Sequence, residues 1–451
     1  MTDCTQSHLP FSSVGKKKIQ ADFSGGRLTT DGGALLLREV DKRLGMIDAI
    51  ANCLPDPRHP SLIKHSQREM LSQRIYSIAL GYEDLNDHAT LRHDPALQVA
   101  TERIKKPEPD HDLSSPSTLC RLENRINRES LVRISEVFVN QFIASHHTPP
   151  EELILDFDAT DDPLHGKQEG RFFHGYYDCY CYFPLYVFCG DHLLAAYLRE
   201  SGIDGAKHSR AILKLLVDRF REAWPNVRII FRGDSGFCRW RLMRWCERNS
   251  VDYILGLSRN SVLEARTRFY MIQAEHKFRI TGEKQQIFRF IRYGAKTWDR
   301  KRRVIVKAER MIQGPNFRFV VTSLPGDPKS LYKDLYCQRG EMENRIKEQQ
   351  LGLYADRTSC HAFLANQFRL LLSSAAYVLM DAIRRLGLCG TELARAQVQT
   401  IRLKLFKIAA RVKTTVRRVV FHLSSSYPYR SILIHALGAI RLLPNSSTVF
   451  R

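Results

Sequence analysis

The residues best suited to chemistry are acids whose neighbours would hold them in place. In 331–351, LYKDLYCQRGEMENRIKEQQL, Tyr336, Arg339, Glu343 and Lys347 follow one another at helical spacing. At about 100° per residue they share one stripe roughly 80° wide, with Glu343 between two bases. A glutamate so placed is oriented by an arginine fork and able to bind a metal. The same pattern also describes a solvated helix face crossed by i,i+4 ion pairs. Two further apolar runs end in acids. ELILDFDAT (152–160) closes on Asp156 and Asp158, which share one face of a strand, before the turn Asp161-Asp162-Pro163. VRIIFRGDSGF (227–237) ends a short strand on Asp234, just before a helix. Open α/β sheets place their sites at such carboxyl ends of strands. Taken singly, Asp234 also reads as a helix N-cap and Asp158 as a turn former.

Taken together, Asp158-Ala159-Thr160, Gly233-Asp234-Ser235-Gly236 and the run Tyr336, Arg339, Glu343 have an order that resembles the DDE transposases of bacterial insertion sequences. The likeness is closest to the branch whose catalytic region is called the group 1 DDE domain. It covers nearly the whole chain and is most specific in LDFDATDDPLHG, FRGDSGF and YCQRGEMENRIKE. The resemblance implies an α/β ribonuclease-H-like catalytic core, a mixed sheet with flanking helices, in which the strands ending at Asp158 and Asp234 lie side by side. It also implies that Asp158, Asp234 and Glu343 are the catalytic acids, with Asp156 the competitor for first place because it shares a face with Asp158. One departure stands out: related transposases often carry a lysine seven residues after the glutamate, where this chain has Gln350, and Lys347 is the candidate substitute.

Carboxylates without histidine or cysteine partners are hard oxygen donors, suited to Mg²⁺ or Mn²⁺ rather than Zn²⁺. Two such ions can activate a water or a 3′-hydroxyl and stabilise the leaving oxygen of a phosphodiester. The expectation is therefore a DNA transposase in which Asp158, Asp234 and Glu343 hold two ions, Arg339 and Lys347 contact phosphates, and Tyr336 positions the strand. Its partners would be double-stranded DNA, as terminal inverted repeats and as target, bound by a homodimer. A metal-dependent nuclease or resolvase would use the same acids without strand transfer. A non-catalytic DNA-binding protein would keep the charge alone.

Composition agrees with a polyanionic partner. Sixty-nine Lys and Arg against 48 Asp and Glu give a net charge of +21 in a chain that is 43% hydrophobic. A basic ribosomal or membrane-surface protein would show the same excess. The eleven cysteines form no CxxC pair and follow no secretory signal, which points to a reduced, cytoplasmic setting; the resemblance to bacterial transposases implies that this is near the nucleoid. Cys179, Cys181 and Cys189 read as small core residues. The longest apolar stretch, 370–383, is broken by Ser373, Ser374 and Asp381 and is too short for a bilayer, so no membrane is expected.

The elements that must position these acids follow from periodicity. Residues 1–150 read as a helical N-terminal DNA-binding domain, with helices after Thr30 or Asp31, from Pro60 to Tyr82, and from Ser117 to Ala144, and with a Pro-rich loop at 104–118. Residues 151–260 alternate strands and helices as the first part of the core, with a hairpin at Gly190-Asp191 between strands 178–189 and 192–199. In 261–325 the helical pattern fades, and three alternating runs predict a β-rich insertion whose last run, 317–323, rejoins the main sheet. Its Trp298, Arg302 and Arg303 suggest a DNA clamp with a stacking side chain, against the plainer reading of a solvated sheet edge. Residues 326–390 return to the core with the glutamate helix and a long buried helix, 363–385. Residues 391–451 form a basic segment containing an amphipathic run at 395–411 and a basic strand followed by a helix.

Overall fold

The computed structural model describes residues 9–105 and 111–443. Residues 106–110 of the loop expected at 104–118 lie outside the described residues. The chain forms two compact units, one from Ile126 to Val378 and the other built from the chain before and after it.

The unit Ile126–Val378 is a mixed eight-stranded sheet flanked by helices. Its strands are β1 (Glu152–Ala159), β2 (Leu185–Cys189), β3 (His192–Tyr197), β4 (Arg228–Gly233), β5 (Asp252–Leu257), β6 (Gln285–Tyr293), β7 (Arg302–Met311) and β8 (Gly314–Thr322). They lie in the order β6-β7-β8-β5-β4-β1-β2-β3. β1, β4 and β5 are parallel, and every other pairing is antiparallel. Alternation then sorts the side chains. Leu153, Leu155, Phe157, Ile229, Phe231, Tyr253 and Leu255 point to a core shared with α1 (Arg128–Ala144), α2 (Ser209–Ala223), α3 (Trp240–Arg248) and α4 (Ser261–Thr281). Burying each large apolar side chain contributes about 2 kcal/mol, which pins the register and fixes which residues face the other way. On that second face Ile230, Ile254, Ile305 and Val320 are covered by Tyr332, Leu331 and Leu335.

Several expected elements change on folding. The strand 178–189 breaks at Phe183-Pro184, because a proline cannot donate to a ladder. Cys179–Tyr182 then joins a small separate sheet with Asp162–Pro163 and Phe172–His174. The Gly190-Asp191 hairpin forms as expected, with Gly190 at φ +58°. The segment 261–325 contains a 21-residue helix, α4, where no helix was expected. Its buried stripe of Leu263, Thr267, Met271 and Ala274 was masked in the sequence by Val262, Phe269, Ile272 and Ile280, which stay exposed on the opposite side. β8 pairs with β5, so β6, β7 and β8 extend the main sheet.

In the other unit, helices cover Leu35–Leu44, Met46–Asn52, Gln67–Leu80, Pro95–Ala100 and Pro116–Asn124. The helix expected from Pro60 starts at Gln67 instead, capped by Ser66 Oγ, which accepts from Glu69 N–H at 3.1 Å. The helix expected over Ser117–Ala144 is interrupted at Arg125–Asn127, where Asn127 caps α1. Asp31 turns away from capping: its carboxylate accepts from Tyr82 at 2.6 Å and from Lys407 at 2.7 Å. Gly33 passes so close to the far end of the chain that a Cβ would lie 1.8 Å from the Leu405 carbonyl oxygen. The amphipathic run 395–411 is helical only from Val398 to Phe406 before it enters the strand Ala410–Thr414. The helix Phe363–Gly387 has the length and apolar composition of a membrane span, longer than 370–383 alone suggested, and 83% of its apolar window is buried within the protein.

Candidate active site

β1 and β4 run side by side with Asp156 opposite Arg232 and Phe157 opposite Gly233. The next residues of that register, Asp158 and Asp234, therefore emerge together at the carboxyl edge of the sheet, on the face away from the large core. Asp156 is spent on structure. It is 3% exposed and accepts both arms of the Arg232 fork, at 2.5 and 2.6 Å, while Arg232 also donates to the Leu335 carbonyl at 2.5 Å. Burial raises the Asp156 carboxyl and the Arg232 guanidinium draws it back. This network fastens β1 to β4 and both to the chain that leads into Glu343. Sequence alone missed Arg232, whose partner is visible only once the register of two distant strands is known.

Asp158 is the acid less committed to a partner. Its Oδ1 accepts from the Ala159 N–H at 3.0 Å, and its Oδ2 faces Arg339 Nη1 at 3.3 Å. Burial pushes its pKa up to about 7, Asp234 and Glu343 push in the same direction, and Arg339 pulls it down. Asp234 Oδ1 caps the following turn by accepting from Gly236 N–H at 2.8 Å, so the capping role read from the sequence and proximity to Asp158 hold at once.

The segment 331–352 is helical throughout but unevenly wound: wide turns at Leu331–Tyr336 and Glu348–Gly352, a tight turn at Cys337–Arg339, and α-helix only at Gly340–Lys347, here α5. Unequal winding alters the phase of the stripe expected from an even helix. Arg339 spans the gap between acids, with Nη2 on Glu343 Oε1 at 2.8 Å as well as Nη1 on Asp158. Tyr336 packs against β5, where Gly256 leaves room for it. A Cβ on Gly256 would lie 2.7 Å from the Tyr336 hydroxyl and 2.8 Å from the Ser235 nitrogen. Burial, with the charge of Asp234 adding to it, raises the Tyr336 hydroxyl. Lys347 is exposed and makes no ion pair or hydrogen bond among the described residues. Gln350 instead fastens the turn after β1, donating to Asp161 O at 3.0 Å and to the buried Asp162 at 2.9 Å.

The clamp residues fall elsewhere. β7 is antiparallel to β8, and β8 to β5, so β7 starts at the edge of the sheet opposite the acids. Arg302 shares the face of Val304 and Val306, is 4% exposed, and grips Glu247 at 2.8 and 3.0 Å. Trp298 packs on the core with its ring against Arg302 and Tyr293, so it is no free stacking platform. Arg303 lies on the acid face but four strands from β1, about 19 Å at 4.8 Å per strand, donating to Leu324 O at 3.1 Å.

A family model described as transposase DDE domain group 1 matches residues 11–445. The chain belongs to this family. Its function is that of a DNA transposase, an enzyme that acts on DNA, and DDE transposases as a family use divalent metal ions. Among solved structures, a piggyBac transposase synaptic complex with hairpin DNA is similar at 10% identity and a TM-score of 0.38, over 78% of this chain and 75% of that one. No curated protein matches the sequence.

The donors of Asp158, Asp234 and Glu343 are all carboxylate oxygens, the chemistry a hard divalent cation requires. Among the described residues no three acids, histidines or cysteines close around one point as they stand. Arg339 provides the positive charge between Asp158 and Glu343.

Proposed function

We propose that this transposase cuts DNA at the ends of an insertion sequence and joins the freed 3′ ends to target DNA on a ribonuclease-H-like core. Asp158, Asp234 and Glu343 would hold the divalent ions, Mg²⁺ or Mn²⁺ and two in number. When bound, the ions supply an activated water or 3′-hydroxyl and a charge to stabilise the leaving oxygen. The observation that carries this reading is the meeting of Asp158 and Asp234 on neighbouring parallel strand ends with Arg339 reaching from Asp158 to Glu343. Asp158 rather than Asp156 is the first acid, because Asp156 is committed to Arg232.

The remaining residues position the strand. Arg339, once released, offers its fork to a phosphate beside the acids. Tyr336 forms one wall of the site. Lys347, one helical turn beyond Glu343 and unpaired, is available to a phosphate farther along the strand. The helices of 1–150 are candidates for recognising terminal repeats, two copies are proposed to act together on the two ends, and the setting is cytoplasmic, at the nucleoid.

The test is incubation of purified protein with the DNA flanking its gene in Mg²⁺, Mn²⁺ or EDTA, alongside Asp234→Ala, Asp156→Ala and Asp158→Ala. Cuts at inverted repeats that need metal, Asp234 and Asp158, followed by joining to a target plasmid, are expected. Metal-dependent cuts without joining would make the protein a nuclease. Cleavage that survives Asp158→Ala would remove the proposed site.

A further inference from the structure

The last stretch of the chain carries a charge bias that the acids do not use. Residues 393–451 contain eleven Lys or Arg and no Asp or Glu. Part of this stretch folds as an antiparallel ribbon, Ala410–Thr414 against Val419–Leu423, with Arg411 opposite His422 and Lys413 opposite Val420. The root of the ribbon is held firmly. Ala410 and Val412 are buried, Ala410 pairs with Thr29, and the Val412 N–H donates to Arg27 O at 2.8 Å. The tip stands clear: Thr415 N–H donates to Arg418 O at 2.8 Å to close the turn, and Val416 is fully exposed.

Arg411, Lys413, Arg417 and Arg418 are all exposed, and among the described residues none of their side chains makes an ion pair or hydrogen bond. A solvated surface usually mixes charges of both signs, because neighbouring cations repel. Here four are gathered on a rigid support without one carboxylate between them. A ribbon of two strands about 4.8 Å apart is of a width that the major groove, about 12 Å across, admits. Cations fixed on such a support meet phosphates with little loss of side-chain or backbone freedom on binding.

We propose that this ribbon is a DNA-binding arm that grips the phosphate backbone of double-stranded DNA, a contact made by the second structural unit in addition to that at the acids. The inference rests on the transposase reading for the identity of the polyanion. Phosphate contacts set position and affinity without reading sequence, so the arm acts alike on element ends and on target.

The experiment uses the full chain and a fluorescein-labelled mixed-sequence duplex of about 30 base pairs. Anisotropy is followed across a KCl series without divalent ions for the wild type, Arg417→Ala/Arg418→Ala, Arg411→Ala/Lys413→Ala and Arg417→Lys/Arg418→Lys, with thermal melting to verify folding. Each alanine pair is expected to weaken binding and to flatten the log K against log salt slope by about 1.8, from about 0.9 for each phosphate no longer neutralised, while the lysine pair retains the slope. Unchanged affinity and slope in both alanine pairs would overturn the arm. So would binding to phosphatidylserine vesicles that depends on these residues while duplex binding does not. Metal-dependent cleavage by these proteins and by Asp158→Ala separates the two claims: cleavage lost in Asp158→Ala with an unaltered salt slope in the ribbon variants leaves the function standing and removes the arm.

Discussion

Asp158 sits in surroundings that favour its neutral form, with burial the largest influence and Asp234 and Glu343 adding to it. With a folded pKa of about 7 against an ordinary value near 3.9, the native state holds a proton that the unfolded chain has released between those limits. Stability of the metal-free protein should therefore fall as pH rises from about 4 through about 7, by up to roughly 4 kcal/mol at 1.4 per unit. Asp158→Asn lacks that proton and should show a flatter denaturant midpoint, overtaking the wild type by pH 8. Parallel pH curves for the two proteins would contradict the cause assigned here. At Arg339 the expectation concerns cation affinity. A guanidinium already bound to two of the three carboxylates must be displaced, so Arg339→Ala should bind Mn²⁺ more tightly in calorimetry, by about tenfold or more, the equivalent of a charge-assisted hydrogen bond of about 1.5 kcal/mol or more. Weaker binding in Arg339→Ala would mean that Arg339 organises the acids instead of competing for them.

At the scale of elements, the site depends on two close fits. The first is Gly256 on β5, where an added methyl group meets the Tyr336 hydroxyl and the backbone of Ser235. Gly256→Ala should push the Asp234 turn out of line, lowering strand cleavage by roughly tenfold or more while costing about 1–3 kcal/mol of stability. Cleavage at the wild-type rate would show that the turn tolerates the shift. The second is Gln350, the donor to Asp161 and Asp162; Gln350→Ala leaves the buried Asp162 short of a partner and should destabilise by about 1–3 kcal/mol in urea unfolding. Both elements show what could be read in advance. The strand acids and the Arg339–Glu343 pair were legible, because period-two alternation and i,i+4 spacing are local signals. The commitment of Asp156 to Arg232 was not, since it depends on a register between residues far apart in sequence. α4 was hidden because its exposed side carries Val262, Phe269, Ile272 and Ile280 among its charges, which blurs the 3.6-residue period. Trp298 and Arg302 looked like a clamp because aromatic and basic residues read alike in a sequence whether they face water or a core.

At the scale of the molecule, strand direction divides the sheet into two edges with separate duties. The carboxyl edge of β1 and β4 carries Asp158 and Asp234, while the Trp298 loop enters the sheet from the opposite edge. Trp298→Ala should therefore reduce stability, by about 3 kcal/mol for removal of a packed indole, and leave cleavage per folded molecule unchanged. A cleavage defect without a stability defect would return Trp298 to the DNA. The second unit has a different consequence, for synthesis. Gly32 and Gly33 pack on the backbone around Leu405 to Ile408, and Thr29 pairs with Ala410. A ribosome makes the first half of that unit long before the second, so residues up to 125 must wait, while Ile126–Val378 can fold behind them as it emerges. A stop codon after Val378 but ahead of Leu405 would release a chain with Asp158, Asp234 and Glu343 in place and the stretch around Gly32 and Gly33 without the backbone it packs on, a natural substrate for proteases.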